Sequence, residues 1–146
     1  MSFQFPLAAV LNYRESIEQR EYLALEKIQQ DIVRVELRIS QAQNDCSAAT
    51  QNRLADLACG TSAAALQSAY DYQKVLEQNS EALQALLQEL KKKWRQQLAS
   101  YELARRNREM LEKLREKQLD AHNREQAKRE QSVIDDTFLS RRGRSN

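Results

Sequence analysis

Two glycines and one proline are all that 146 residues hold of the residue types that interrupt helices. Their scarcity argues against a turn-rich fold and for a few long helices. Aromatic residues make up 6% of the chain and there is one tryptophan. That stock cannot fill a thick globular core, although a narrow two-helix seam needs only about two apolar positions in seven. No run approaches the ~20 apolar residues of a membrane span. The start, Met1-Ser2-Phe3-Gln4-Phe5-Pro6, lacks the basic and apolar regions of a signal peptide. The two cysteines, Cys46 and Cys59, have no metal-like spacing, which fits reduced thiols in the cytosol.

What is present is a surplus of Ala, Glu, Gln, Leu, Lys and Arg, all good helix formers. Charged residues reach 30%, yet the net charge is only +2. Residues 1–104 carry 11 basic and 13 acidic side chains, and residues 105–146 carry 12 basic and 8 acidic. A mildly basic tail on a near-neutral body suits an acidic protein partner or a membrane surface better than a specific DNA site.

Leu25, Ile28, Ile32, Val35, Ile39, Ala42, Cys46 and Ala49 alternate three and four apart, the a/d seam of a heptad coiled coil. Leu7, Val10, Leu11 and Ile17 form an earlier stripe out of step with Leu25, so a register slip near Tyr22 is expected. Gly60, followed by Thr61 and Ser62, is the one break, with a left-handed glycine to end a helix and a hydroxyl to cap the next. The alternation resumes as Leu66, Ala69, Gln73, Leu76, Ser80, Leu83, Leu87, Leu90, Trp94, Gln97, Tyr101 and Ala104, flanked by Leu98, Leu111 and Leu114. A last apolar group, Val133, Ile134, Phe138 and Leu139, precedes Arg141-Arg142-Gly143-Arg144.

Two such seams across a short turn predict an all-α fold, a long two-helix antiparallel coiled-coil hairpin forming a single domain. The expected bounds are a helix over about 7–57, a turn over about 58–62, a helix over about 63–136 and a disordered C-terminal end. Reflection about Gly60 pairs Leu7 with Lys113, a rod of ~75 Å, and leaves the basic residues beyond Lys113 without an internal partner. A straight homodimer with Gly60 as a weak spot is the alternative, and the polar cluster at Gly60 favours the hairpin.

Catalytic chemistry finds little support. The single histidine, His122, reads as a surface residue with no zinc-ligand spacing around it. Neither G-x-x-x-x-G-K-[ST] nor G-x-G-x-x-G occurs, so no nucleotide cofactor is expected, and no other cofactor or metal. Cys46 falls on the seam as a small apolar residue, whereas Cys59 at the turn is open to reaction. Lys91-Lys92-Lys93 beside Trp94 and Arg95 reads as the wet side of a seam helix rather than a nucleic-acid site. A zipper factor would carry a basic region nearly free of acids, and Glu109, Glu112, Glu116, Asp120, Glu125 and Glu130 interrupt this one. Tyr70 and Tyr72 cannot both face the seam, so at least one is exposed near the turn, either lying along its neighbours or meeting a partner.

In order along the chain, Phe3-x-Phe5-x-Leu7-x-x-Val10-Leu11-x-x-Arg14, a glycine turn, Leu66-x-x-x-Tyr70-x-Tyr72-x-x-x-Leu76 and Ile134-Asp135-Asp136-x-Phe138-Leu139-x-Arg141-Arg142 resemble the flagellar export FliJ family over essentially the full length. Injectisome stalk proteins belong to the same group. The resemblance implies a non-enzymatic, central-stalk-like coiled coil of the type III export apparatus, serving flagellum biogenesis, protein export and chemotaxis. The implied partners are the hexameric flagellar export ATPase, an export gate membrane protein and export chaperones, with no nucleic acid. The implied location is cytoplasmic, peripheral at the inner membrane. By position, the ring contact would comprise Phe3, Phe5, Leu7, Leu11, Arg14, Arg105, Arg106 and Arg108, and the gate contact Tyr72 and Leu76. A generic coiled-coil scaffold or chaperone adaptor without an ATPase partner is the alternative reading.

Overall fold

A computed structural model describes residues 2–145. It contains two helices, α1 (Ala8–Cys59) and α2 (Ala63–Arg144), and no strand among the described residues. After residues 2–5, which form no regular secondary structure, a turn at Pro6 and Leu7 leads into α1 through an Ala8 N–H to Phe5 carbonyl bond of 3.1 Å. Proline at a helix entrance forfeits no helical hydrogen bond. α2 runs on to Arg144, past residue 136 where the sequence reading placed its end and a disordered segment. The chain divides into two compact units, residues 21–101 and residues 1–20 with 102–146.

The unit of residues 21–101 holds the turn. Gly60 adopts φ +80°, a conformation that a Cβ makes costly, and so ends α1. Ser62 caps α2, its Oγ accepting the Ala65 N–H at 3.2 Å. The chain therefore reverses within itself, as the hairpin requires, rather than running straight through Gly60. All eight seam positions from Leu25 to Ala49 are buried or half-buried, with Ile32 and Val35 at 6% exposure. Those on α2 from Leu66 to Tyr101 are all half-buried. The residues between them are mostly in water, which is why a chain with few large apolar residues suffices.

Cross-helix pairs fix the direction and the register. Gln73 Nε2 donates to Thr50 Oγ1 at 3.2 Å, and the rings of Tyr22 and Tyr101 lie 5.8 Å apart. Partners on α2 come later as α1 is followed backwards, so the arms are antiparallel. Tyr22 meets Tyr101, whereas reflection about Gly60 would bring residue 98 opposite it. The centre of the reversal lies between Thr61 and Ser62, within the three-residue link from Cys59 to Ala63.

The other unit pairs the start of α1 with the second half of α2. Its pairing departs from the apolar spacing of the sequence in two ways. No register slip occurs near Tyr22: Leu11, Arg14, Glu18, Glu21 and Leu25 keep the three–four spacing, and none of them is exposed. Between Leu11 and Leu25 the in-phase residues Arg14, Glu18 and Glu21 are charged, so an apolar count misses them and adds Leu7 and Val10, which are 38% and 41% exposed. Internal pairing also continues beyond Lys113. Phe3 stacks on His122 at 5.6 Å, and Gln118, Leu119, His122 and Gln126 are half-buried. Residues 2–5, which are not helical, carry Phe3 to His122. His122 is thus a packed residue, not a free surface one.

Candidate partner-binding surfaces

Polar residues on the seam set the geometry of both units. Arg108, on the seam, donates from Nε to Glu18 and from Nη1 to Glu112, the latter at 2.6 Å. Its side chain is 21% exposed and that of Glu18 17%. The hydrogen bond to Glu18, then that to Glu112, holds the guanidinium charged and raises its pKa above the ordinary arginine value. The stabilisation linked to this raised pKa is present throughout the neutral range and is lost only as pH climbs past it, so the cluster is no switch near pH 7. In the other unit Gln97 Nε2 donates to the Glu21 backbone carbonyl at 3.0 Å and also to its carboxylate. Gln73 Oε1 is buried there without a protein partner. Polar groups at seam positions specify register while adding little strength.

The residues expected at a ring contact are split by this arrangement. Phe5 and Leu11 are buried at 9% and 6% exposure, Phe3 is half-buried on His122, and Arg14 is half-buried. Arg108 is engaged with Glu18 and Glu112. Leu7, Arg105 and Arg106 face water, the arginines in i,i+4 pairs with Glu109 at 2.9 Å and Glu102 at 3.8 Å. Exposed pairs of this kind steady the local helix by a few tenths of a kcal/mol and exchange readily.

Further along α2, every described residue from Ala127 to Ser145 is exposed, including Val133, Ile134, Phe138 and Leu139 at 60–64%. Their phase is informative. Continuing from His122 through the half-buried Gln126 at the seam spacing reaches Arg129, Val133 and Asp136, so Ile134 and Phe138 fall outside it. Ile134 and Phe138 lie one turn apart on a face that α1 could not cover by extending the same coil. Glu125 pairs with Arg129 at 2.8 Å and Gln131 with Asp135 at 2.9 Å, which supports the helix without tertiary packing. Arg141, Arg142 and Arg144 occupy the last turn, where cations suit the helix dipole. The sequence displayed this cluster, but apolar content alone did not reveal that Ile134 and Phe138 are out of phase with the seam.

Near the turn, Tyr70 and Tyr72 are 53% and 58% exposed, and Leu76, one turn beyond Tyr72, is half-buried on the seam. Both tyrosines are therefore available, Tyr72 on a flank backed by a packed leucine. Lys91 is half-buried with Trp94 at an open groove of about 350 Å³ that also involves Gln29, Ile32, Glu36 and Arg95. That groove mixes both charge signs and holds neither histidine nor cysteine. Among the described residues no three His, Cys, Asp or Glu side chains gather as a metal site, and no helix is long and apolar enough to cross a membrane.

These features define a class: an antiparallel two-helix coiled coil of one chain, with its exposed apolar and cationic chemistry on surfaces rather than in a cavity. The model of the flagellar FliJ protein family matches residues 3–146, and the chain belongs to that family. It is thereby a flagellar export-related protein. No curated relative and no solved structure matches it.

Proposed function

We propose that the chain is a non-enzymatic, central-stalk-like component of the flagellar type III export apparatus that engages the hexameric export ATPase, links it to the export gate and escorts export chaperones. The observation that carries this reading is the helix from Ala127 to Arg144, with its own side-chain pairs, exposed throughout and bearing an apolar cluster beside three arginines. A helix end with that chemistry suits a partner offering an apolar surface with acidic groups. Leu7, Arg105 and Arg106 are the further ring contacts available in the closed chain. Tyr72, backed by Leu76, is the gate contact. A packed coiled coil can carry position between two partners, which a flexible linker cannot. The protein works in the cytoplasm, peripheral to the inner membrane, and its contribution to chemotaxis follows from flagellar assembly.

Adding the purified chain to its cognate export ATPase should raise hexamer formation and ATP turnover, and a chain ending at Gln126 should lose that effect while keeping its fold. No change in turnover at saturating full-length chain would refute the ATPase reading. Pull-downs that return export chaperones but never the ATPase would favour a chaperone adaptor instead.

A further inference from the structure

We infer that the terminal unit is a clasp: α1 from Ala8 to Arg20, with its non-helical lead-in, opens from α2 at the Glu18–Arg108–Glu112 layer while the seam from Leu25 to Ala49 stays closed.

The two units differ in what closes them. Between Leu25 and Ala49 the α1 seam is apolar at every position, and Ile32, Val35 and Ala42 are buried. Between Ala8 and Arg20 the in-phase residues are Leu11, Arg14 and Glu18, so one apolar layer is followed by two charged ones. Arg108 on α2 faces Glu18, and of the residues of α2 in this unit Ala104 is the buried one, at 6% exposure. The remaining buried apolar contact is Phe5, carried by a non-helical lead-in. A partly desolvated ion pair specifies register but contributes little net free energy, because opening returns both charges to water. Apolar burial dominates closure, and this unit has little of it on the α1 side.

The two strands also respond differently to opening. Released from α2, the segment Ala8–Arg20 is near the ~12–15-residue length at which an isolated helix is marginal even with ideal composition. Its only same-helix side-chain bond runs from Ser16 to the Asn12 carbonyl at 3.1 Å. α2 keeps its own supports in Glu102–Arg106, Arg105–Glu109 and Arg108–Glu112. Opening therefore unravels one strand and leaves the other standing. What it presents is Phe3, Phe5, Leu11, Arg14 and the freed face of Arg108. The inference rests on the proposed function only for the identity of the partner that takes these groups.

Hydrogen exchange of the full-length chain alone, read by mass spectrometry, tests the clasp. Amides from Asn12 to Arg20 should exchange together, at least ~100-fold faster than those from Ile32 to Ala42. The double variant Glu18→Leu with Arg108→Leu should slow the first segment ~10-fold, since apolar replacement of a partly desolvated pair adds apolar burial without the cost of removing charges from water, and leave the second unchanged. Equal protection of the two segments in the unsubstituted chain would overturn the clasp, whatever the variant does. So would protection that falls away only over Ala8–Leu11 and is regained by Asn12, which is ordinary end fraying. Because no partner is present, the result is independent of whether the ATPase reading survives.

Discussion

Ile32 and Leu37 are both large aliphatic residues of α1, five positions apart, and truncating each to alanine separates a seam residue from a surface one. Ile32 is 6% exposed and Leu37 62%. Ile32→Ala removes three carbons from the seam, worth about 2.4 kcal/mol at ~0.8 kcal/mol per buried methylene. In a thick core a cavity would raise that figure. Here the position borders an open groove with Gln29, Glu36, Lys91, Trp94 and Arg95, so water and neighbouring side chains can fill the space and the added penalty is small. The expected loss is therefore ~2–3 kcal/mol. Leu37→Ala gives up only partial burial and gains slightly in helix propensity, so its expected change lies within ~0.5 kcal/mol of zero. Urea denaturation followed by far-ultraviolet circular dichroism at fixed protein concentration measures both. Equal losses in the two variants, or a larger one for Leu37→Ala, would refute the phase assigned to α1 and every face argued from it.

Gly60→Ala should cost ~1 kcal/mol in the same assay, since a Cβ there meets no atom within 4 Å and only the positive φ opposes it. Cys59 is exposed and Cys46 half-buried, so a thiol reagent should modify Cys59 first under native conditions, and equal rates would contradict the closed seam at Cys46. Ending the chain after Gln126 should leave the midpoint of unfolding within ~0.5 kcal/mol of the full-length value, because the deleted residues bury nothing. Arg106→Ala should change stability by no more than ~0.5 kcal/mol, its partner Glu102 being half in water, while weakening capture of the ATPase if the proposed contact holds.

Much of the fold was legible because heptad spacing is a local property. Three–four alternation from Leu25 to Ala49 and from Leu66 to Ala104 names the buried face without any knowledge of the partner strand, and Gly60 with Ser62 names the reversal. The terminal unit was less legible for a definite reason. Glu18 and Arg108 hold seam positions but look like surface residues until the opposite charge across the coil is known. An apolar count therefore followed Leu7 and Val10 and reported a slip that the chain does not make. For the candidate surfaces, Tyr72 could be placed near the turn by sequence alone, but the engagement of Arg108 and the burial of Phe5 and Leu11 could not.

The sequence by itself thus determined the class of fold, the turn and the identity of the long seam, since each depends on spacing along one helix. Only the tertiary structure decided the register between the helices, the reach of the lead-in to His122 and the isolation of the helix beyond Gln126. Those depend on which residues meet across the coil, and a periodic pattern is compatible with several offsets until polar pairs such as Glu18–Arg108 and Thr50–Gln73 select one.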